Sequence, residues 1–269
     1  MQDEGHIDAY DNMISVLKYM NEDDFYENDL ILPAACWLDN LVYDLSMKWS
    51  QPIHFDDVPY IIDDIIVNPL PTFNISSAIN QSINTLYSNY STNKLDGRMA
   101  KSLMLRFFIH LAGDIHQPLH SINRFSKIHP NGINYLGDYG GNLFHISYTK
   151  NITNLHALWD SVLGDQPDLM PPIDKGNIVL MVNAATSIMK TYPKSYFEGN
   201  LAIDDVNEWI NESYLFAKNT TYVGIQENET PSKSYITIGI DVAHQRIALA
   251  GYRMAKVFLK AFGKPSMKK

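Results

Sequence analysis

The sequence predicts a mainly α-helical protein organised as one domain over residues 1–269. Apolar residues recur at helical spacing through most of the chain, beginning with the stripe Tyr10, Met13, Ile14 and Leu17. Strand-like pattern is confined to short pieces. No composition shift, linker or internal repeat divides the chain, and 269 residues can bury one large core.

The elements follow in order. Ile7–Met20 reads as an amphipathic helix, and Asn21–Asp29 as an acidic loop. Pro33 suits a helical first turn because its missing amide hydrogen is not needed there, and Ala34, Leu38, Leu41, Val42 and Leu45 continue one apolar face. Trp49–Tyr60 reads as loop with a short extended piece, and Ser76–Tyr90 as a polar helix. Met99, Leu103 and Phe107 fall on one face of a helix that runs to His110 and Asp114. Pro118 must end or kink it, since proline clashes with the carbonyl four residues back. Ser121–Asp138 is loop, Gly140-Gly141-Asn142 a tight turn, and Leu143–Tyr148 a short strand. Helices are expected at Leu155–Val162, Asn177–Thr191, Asp204–Lys218 and Thr237–Phe262.

Composition narrows the chemistry. Apolar residues make up 45% and charged residues 19%, as in an ordinary soluble globular protein, and no apolar run reaches the length of a membrane span. The net charge of -9 argues against holding a polyanion through a basic surface. Cys36 is the single cysteine, so neither an internal disulfide nor a cysteine-rich zinc site is available. Metal binding would use His, Asp and backbone groups. The start Met1-Gln2-Asp3-Glu4-Gly5-His6 has no signal-peptide character, yet Asn-X-Ser/Thr sequons stand at Asn74, Asn80, Asn89, Asn151, Asn211, Asn219 and Asn228. They favour a glycosylated protein, secreted or in the secretory or lysosomal pathway, with its leader absent from this chain.

Chemistry concentrates in His110-Leu111-Ala112-Gly113-Asp114-Ile115-His116-Gln117-Pro118-Leu119-His120. His110 and Asp114 lie one helical turn apart, so imidazole and carboxylate converge on one point. The break at Pro118 throws His120 toward a different centre. A second one-turn pair, His156 and Asp160, follows in Asn154-Leu155-His156-Ala157-Leu158-Trp159-Asp160. One such pair is common on solvated helix faces; two pairs with further histidines in apolar surroundings offer ligands to more than one metal ion. Of the nine histidines, His116, His129, His145 and His244 are left outside the metal site. His116 points off the ligand face, and His129 reads as solvated loop.

Laid in order, these residues resemble the zinc-dependent single-strand-specific nucleases of fungi, plants and protozoa, also called class I nucleases or 3′-nucleotidase/nucleases. The resemblance runs from Gly5-His6 to the last helix. It is carried by the His110/Asp114/His120 spacing, the Gly140-Gly141-Asn142 turn and the His156/Asp160 pair. Trp37-Leu38-Asp39, Pro52-Ile53-His54-Phe55, Trp209 with Glu212-Ser213, and the Gln245–Ala255 helix support it. It implies a single-domain helical fold of the phospholipase C/nuclease type with a trinuclear zinc cleft. Asp39, His54, His110 and Asp114 would hold the first zinc, and His120, His156 and Asp160 the second. The third would take His6, Asp114 as a bridge, and backbone atoms of Met1, where the family normally has Trp.

The implied reaction is phosphodiester hydrolysis by an activated water at Asp114, releasing 5′-phosphorylated products from single-stranded DNA or RNA, with 3′-nucleotidase activity besides. Phe55, Asp57 and Tyr139 would form the base pocket, and Asn142 would orient a phosphate or a bound water. Val42 stands where many relatives carry a basic residue, with Lys48 or Arg124 as its candidate replacement. Substrates are thus single-stranded nucleic acid and 3′-nucleotides, with no membrane and no obligate protein partner. A zinc phospholipase C and a non-catalytic zinc-binding paralogue are the alternatives.

Overall fold

The computed structural model describes residues 7–18, 31–41, 44–64, 66–67, 74–88, 95–130, 137–166 and 175–263. The acidic loop at 21–29, Met1, His6 and Val42 lie outside these. The helices are α1 (Ile7–Leu17), α2 (Ile31–Leu41), α3 (Ile75–Tyr87), α4 (Leu95–Asp114), α5 (Leu155–Asp160), α6 (Lys175–Thr191), α7 (Glu198–Leu201), α8 (Val206–Phe216) and α9 (Lys233–Phe262). The strands β1 (Pro59–Ile61) and β2 (Asn123–Phe125) form one parallel pair in the register Tyr60 to Arg124. The mainly helical fold class read from the sequence is the one observed.

Several local expectations give way. Leu45–His54 is a 3₁₀ helix rather than a continuation of α2 followed by loop. Asp44 starts it by accepting from Ser46 N at 2.8 Å, and Leu45 is left 78% exposed instead of joining the apolar face. The loop assigned to Ser121–Asp138 contains β2, while Leu143–Tyr148 forms only an isolated bridge, His145 to Asn154. Met99 is 54% exposed, because it lies on the outward side of α4, whose other side buries Lys101 and Ser102 in the same turns.

Burial of apolar side chains drives the packing, and three clusters result. The largest joins Met13 and Leu17 of α1, Leu38 of α2, Ile75 and Ile79 of α3, and Leu105, Phe108 and Leu111 of α4 with Trp209 of α8 and Phe258 of α9. A second gathers Leu119, Ile122, Phe144, Leu155, Leu158 and Trp159 against Val242 and Ala243 of α9. The third is small and joins Ile188 of α6 to Leu249 of α9. Helix α9 therefore runs past all three, its 30 residues spanning about 45 Å. Its close approach to the second cluster depends on Gly239, where an added Cβ would lie 2.2 Å from Leu163 Cδ2.

Helices α4, α8 and α9 are locked together by buried charge. Arg246 and Arg253 are 3% and 1% exposed. Glu212 accepts from Arg246 Nη1 at 3.1 Å, and from Arg253 Nη1 and Nη2 at 2.8 Å each. The guanidinium of Arg253 lies 4.7 Å from the Trp209 ring. Burial pulls Arg246 down to about 10 despite the Glu212 charge. The carboxyl of Glu212 sits below its ordinary range, because Arg253 and Asn200 hydrogen bonds outweigh burial. Removing one member leaves the others charged and uncompensated in a medium that solvates them poorly. Glu212→Ala should therefore lower stability at pH 7 by about 3–5 kcal/mol, read by denaturant melts. A loss within the error of the wild-type value would show that the network is dispensable.

Candidate metal centre

The C-terminal end of α4 faces the junction of the two larger clusters, and the candidate ligands meet there. Asp114 stands between two groups. Its Oδ2 lies 2.9 Å from His54 Nδ1 and 3.0 Å from His110 Nε2. Those two nitrogens are 3.0 Å apart. Asp39 Oδ1 closes the first group at 3.6 Å from His54 Nδ1 and 3.4 Å from His110 Nε2. In the second group, Asp160 Oδ1 is 3.7 Å from His120 Nε2 and Oδ2 is 3.4 Å from His156 Nε2. Asp114 Oδ2 reaches toward this group too, at 3.9 Å from His120 Nδ1. Among the described residues, Asp39 with His54 and His110, and His120 with His156 and Asp160, are the sets that could hold a metal ion.

The direction of each imidazole has a cause. His110 Nδ1 donates to Ala35 O at 2.5 Å, His120 Nδ1 to His54 O at 2.9 Å, and His156 Nδ1 to Gly140 O at 2.8 Å. A carbonyl can only accept, so Nδ1 carries the hydrogen in all three and Nε2 is turned into the site. His54 is reversed, presenting Nδ1, and its Nε2 is buried without a hydrogen-bond partner among the described residues. His116 differs again. It donates from Nδ1 to Ala112 O at 2.8 Å and accepts at Nε2 from Arg253 at 2.9 Å, which leaves no lone pair for a metal. Burial and the two arginine charges keep it neutral.

The glycine turn supplies one of these carbonyls. Gly140 adopts φ +59, and a Cβ there would sit 2.4 Å from Leu119 O, so only glycine lets the turn press against the His120 segment. Asp138 anchors it from below, accepting from Tyr222 OH at 2.8 Å and from Arg124 N at 3.1 Å. Helix α5 begins on the same turn. Asn154 accepts from Ala157 N at 2.8 Å, and Leu155 N donates to Phe144 O at 2.9 Å, which places His156 and Asp160 on the inward face.

Opposed charges fill the site. Burial disfavours imidazolium at His110 and His120, but Asp114 overrides it in both, aided by Asp39 at the first and Asp160 at the second. His110 is held well above its ordinary value, and His120 is raised to about 9. Asp114 lies far below the usual carboxylate range, because His110 and His120 outweigh its burial. Asp160 is lowered for the same kind of reason, with His156 leading. His156, by contrast, is lowered by burial. Protons and a cation compete for these same lone pairs.

The other residues singled out from the sequence are differently engaged. Phe55 stacks on His120 at 4.7 Å and 28°, and lies 5.9 Å from His156. Asp57 is pushed up to about 6 by burial and then by the charges of Asp56 and Asp138. Tyr139 is 39% exposed at φ 53, and Asn142 Nδ2 donates to Tyr139 O at 2.9 Å. Arg124 is no free cation. It pairs with Glu227 at 2.6 Å and lies 4.7 Å from the Phe144 ring. His129, expected to be solvated, is half-buried with its Nε2 3.1 Å from Glu227, and His244 pairs with Asp165 at 3.0 Å. Motif reading missed the orienting carbonyls of Ala35, His54 and Gly140, since no side-chain pattern marks them.

The S1/P1 Nuclease family profile matches residues 9–263, an interval that contains every described residue of both groups. The chain belongs to the S1/P1 nuclease family. Endonuclease 1 of Arabidopsis thaliana is 25% identical over 252 residues, covering 89% of this chain and 77% of that protein. Endonuclease 3 of the same plant is 28% identical over 268 residues, 94% and 82% respectively. Nuclease S1 of Aspergillus oryzae is 28% identical over 140 residues, 49% of this chain and 42% of that protein. Membership of the S1/P1 family supports a hydrolytic nuclease with nucleic acid as substrate, and the two groups flanking Asp114 are its candidate metal-binding residues. Among the described residues, no helix is long and apolar enough to cross a membrane.

The raised Asp57 carboxyl gives a signed expectation for the chelator-treated protein. Its ionisation opposes folding. The penalty is absent below about pH 4, grows as the pH rises through about 6, and is constant above. Asp57→Asn should stabilise the fold at pH 7.5 by roughly 1–3 kcal/mol and leave it unchanged near pH 4. Melts at the two pH values check this, and an equal gain at both would show that burial of the charge is not its source.

Proposed function

We propose that the chain is a zinc-dependent phosphodiesterase that cleaves single-stranded DNA and RNA to 5′-phosphorylated products and also hydrolyses 3′-nucleotides. The observation that carries this reading is the convergence of imidazole and carboxylate donor atoms in two groups, His54 and His110 against Asp39 and Asp114, and His120 and His156 against Asp160.

The donor set fits zinc. Four ligands at about 2.0 Å in a tetrahedron are separated by about 3.3 Å. The donor atoms of Asp39, His54 and His110 lie 3.0–3.6 Å apart, which brackets that value. Lone pairs held so close repel unless a proton or cation sits among them. Imidazole with carboxylate, without thiolate, suits a borderline ion. Asp39, His54, His110 and Asp114 would hold one zinc, and His120, His156 and Asp160 another. A third would use Asp114 with Met1 and His6, which lie outside the described residues. Bound zinc supplies Lewis acidity, lowering the pKa of water toward neutrality and stabilising charge on a departing alkoxide.

The chain's own groups do the rest. Backbone carbonyls keep His110, His120 and His156 turned with Nε2 into the site, so loading displaces protons without reorienting these rings. Phe55, lying over His120, offers a stacking face for a base beside the scissile phosphate, with Tyr139 as the opposite wall. A base stacked there has left its duplex partner, which penalises paired substrate. Asp57, ionised above about pH 6, accepts from a base N–H. Asn142 orients the phosphate from the glycine turn. The sequons favour secretion, and no obligate protein partner is needed for the site as read.

Initial rates on single-stranded DNA, duplex DNA, a 3′-nucleotide and phosphatidylcholine, before and after chelation, test the proposal. Single-stranded DNA and the 3′-nucleotide should be hydrolysed, the duplex more slowly and the lipid not at all, with zinc restoring chelated enzyme. His110→Ala and His156→Ala should each lower activity at least about 100-fold with the fold retained, since even groups behind the ligands are worth 10–100-fold. Turnover of the lipid in preference to DNA would make the chain a phospholipase C. Zinc binding without turnover of any substrate would make it a non-catalytic zinc protein.

A further inference from the structure

We propose that Gln117 is a positioning residue that holds Asp160 and His120 in one geometry, so that the second donor group is built before a metal arrives. This rests on the reading of that group as a zinc site.

Gln117 sits between the end of α4 and the short 3₁₀ turn Pro118–Ser121 that carries His120. Its backbone links both sides: Gln117 N donates to Asp114 O at 2.9 Å, and His120 N donates to Gln117 O at 3.1 Å. Its side chain does two further jobs. Oε1 accepts from Leu119 N at 2.5 Å, capping the turn, and Nε2 donates to Asp160 Oδ1 at 2.8 Å. The amide cannot be flipped, because Leu119 N can only donate and the carboxylate can only accept. Three ligands are thereby tied to one residue.

The choice of glutamine is informative. Elsewhere among the described residues, helix starts capped by a side chain use short acceptors: Asp44, Asn74, Asn154, Asp205 and Ser232. Any of these types would cap Leu119 N equally well or better. None has both the length and the N–H needed to reach a carboxylate on another element while it caps. Asp160 needs such a restraint. It is the last residue of a six-residue helix, its side chain is 49% exposed, and its other charged contacts among the described residues are the imidazoles of His120 and His156. Occupying one lone pair of Oδ1 fixes the carboxylate plane and leaves Oδ2 turned toward His156. A ligand already oriented loses less freedom on binding, and removing groups that orient ligands typically weakens metal binding 10–100-fold.

The decisive variant is Gln117→Asn, which keeps a side-chain cap but is too short to reach Asp160. Gln117→Ala removes both functions. Zinc affinity of the full chain is measured by chelator competition, alongside the melting temperature of chelated protein and kcat and KM on a 3′-nucleotide. The expected result is that both variants weaken one zinc equivalent by about 10–100-fold and leave the remainder as in wild type. Gln117→Asn should melt like wild type, and its lost kcat should return as zinc is raised. A Gln117→Asn protein that binds zinc as wild type does, with only Gln117→Ala impaired, would reduce Gln117 to a helix cap and overturn the inference. Wild-type protein that binds no zinc would instead remove the metal-centre reading, and this inference with it.

Discussion

The backbone carbonyls beneath His110, His120 and His156 are the constraint on which the site depends. Histidine in isolation exchanges its hydrogen between two nitrogens, and only one tautomer offers a lone pair in a given direction. Here Ala35 O, His54 O and Gly140 O decide the matter for His110, His120 and His156. The three acceptors come from α2, the 3₁₀ segment ending at His54, and the glycine turn. None belongs to the helix or turn that carries the histidine it orients. The site is therefore a product of tertiary assembly, although its ligand spacings are local. His54 couples the two groups directly, since its imidazole enters the first while its carbonyl orients a ligand of the second.

The opposite side of α4 is held by donors. A helix leaves its last carbonyls without intrahelical partners, and burial denies them water. Ile115 O accepts from Ser213 Oγ at 2.5 Å, and His116 O from Arg246 Nε at 3.1 Å, so α8 and α9 satisfy the chain just beyond Asp114. Cationic guanidinium groups also suit the negative end of a helix dipole. Two buried positive charges would be costly alone, which is why Glu212 lies between them. His116 completes the arrangement as a neutral acceptor for Arg253. Within one short sequence, His116 thus differs in its work from His110 and His120, and the difference lies in whether Nε2 meets an arginine or the carboxylates of the site.

What could be read from the sequence follows the range of the interaction involved. The His110/Asp114 and His156/Asp160 pairs were legible because a helical turn fixes them within four residues. The glycine turn was legible because left-handed backbone requires particular residues. The pairing of β1 with β2 was not, since three residues carry no periodicity and their partners lie 64 positions apart in the chain. Leu45 and Met99 fit apolar stripes yet are exposed, because a stripe records helical phase and not where the neighbouring element ends. Arg124 looked available until its partner Glu227, over a hundred residues away, was in view. Gln117 was hidden for the same reason, its amide meeting a carboxylate from another helix.

The placement of positive charge bears on how an acidic protein could engage a polyanion. Lys101 and Arg106 donate inward to Leu86 O and Leu17 O, Arg246 and Arg253 are buried on Glu212, and Arg124 is held by Glu227. These cations stabilise the fold and present no basic track to a phosphate backbone. With a net charge of -9, long-range attraction of nucleic acid is disfavoured as well. Under the proposed function, recognition then falls on short-range terms: stacking on Phe55 and the positive field of whatever ion the two donor groups hold. Both act over one or two nucleotides, and Phe55 lies against histidines of both donor groups. That scale suits a substrate whose bases are already free, which is the single-strand preference that the proposed function calls for.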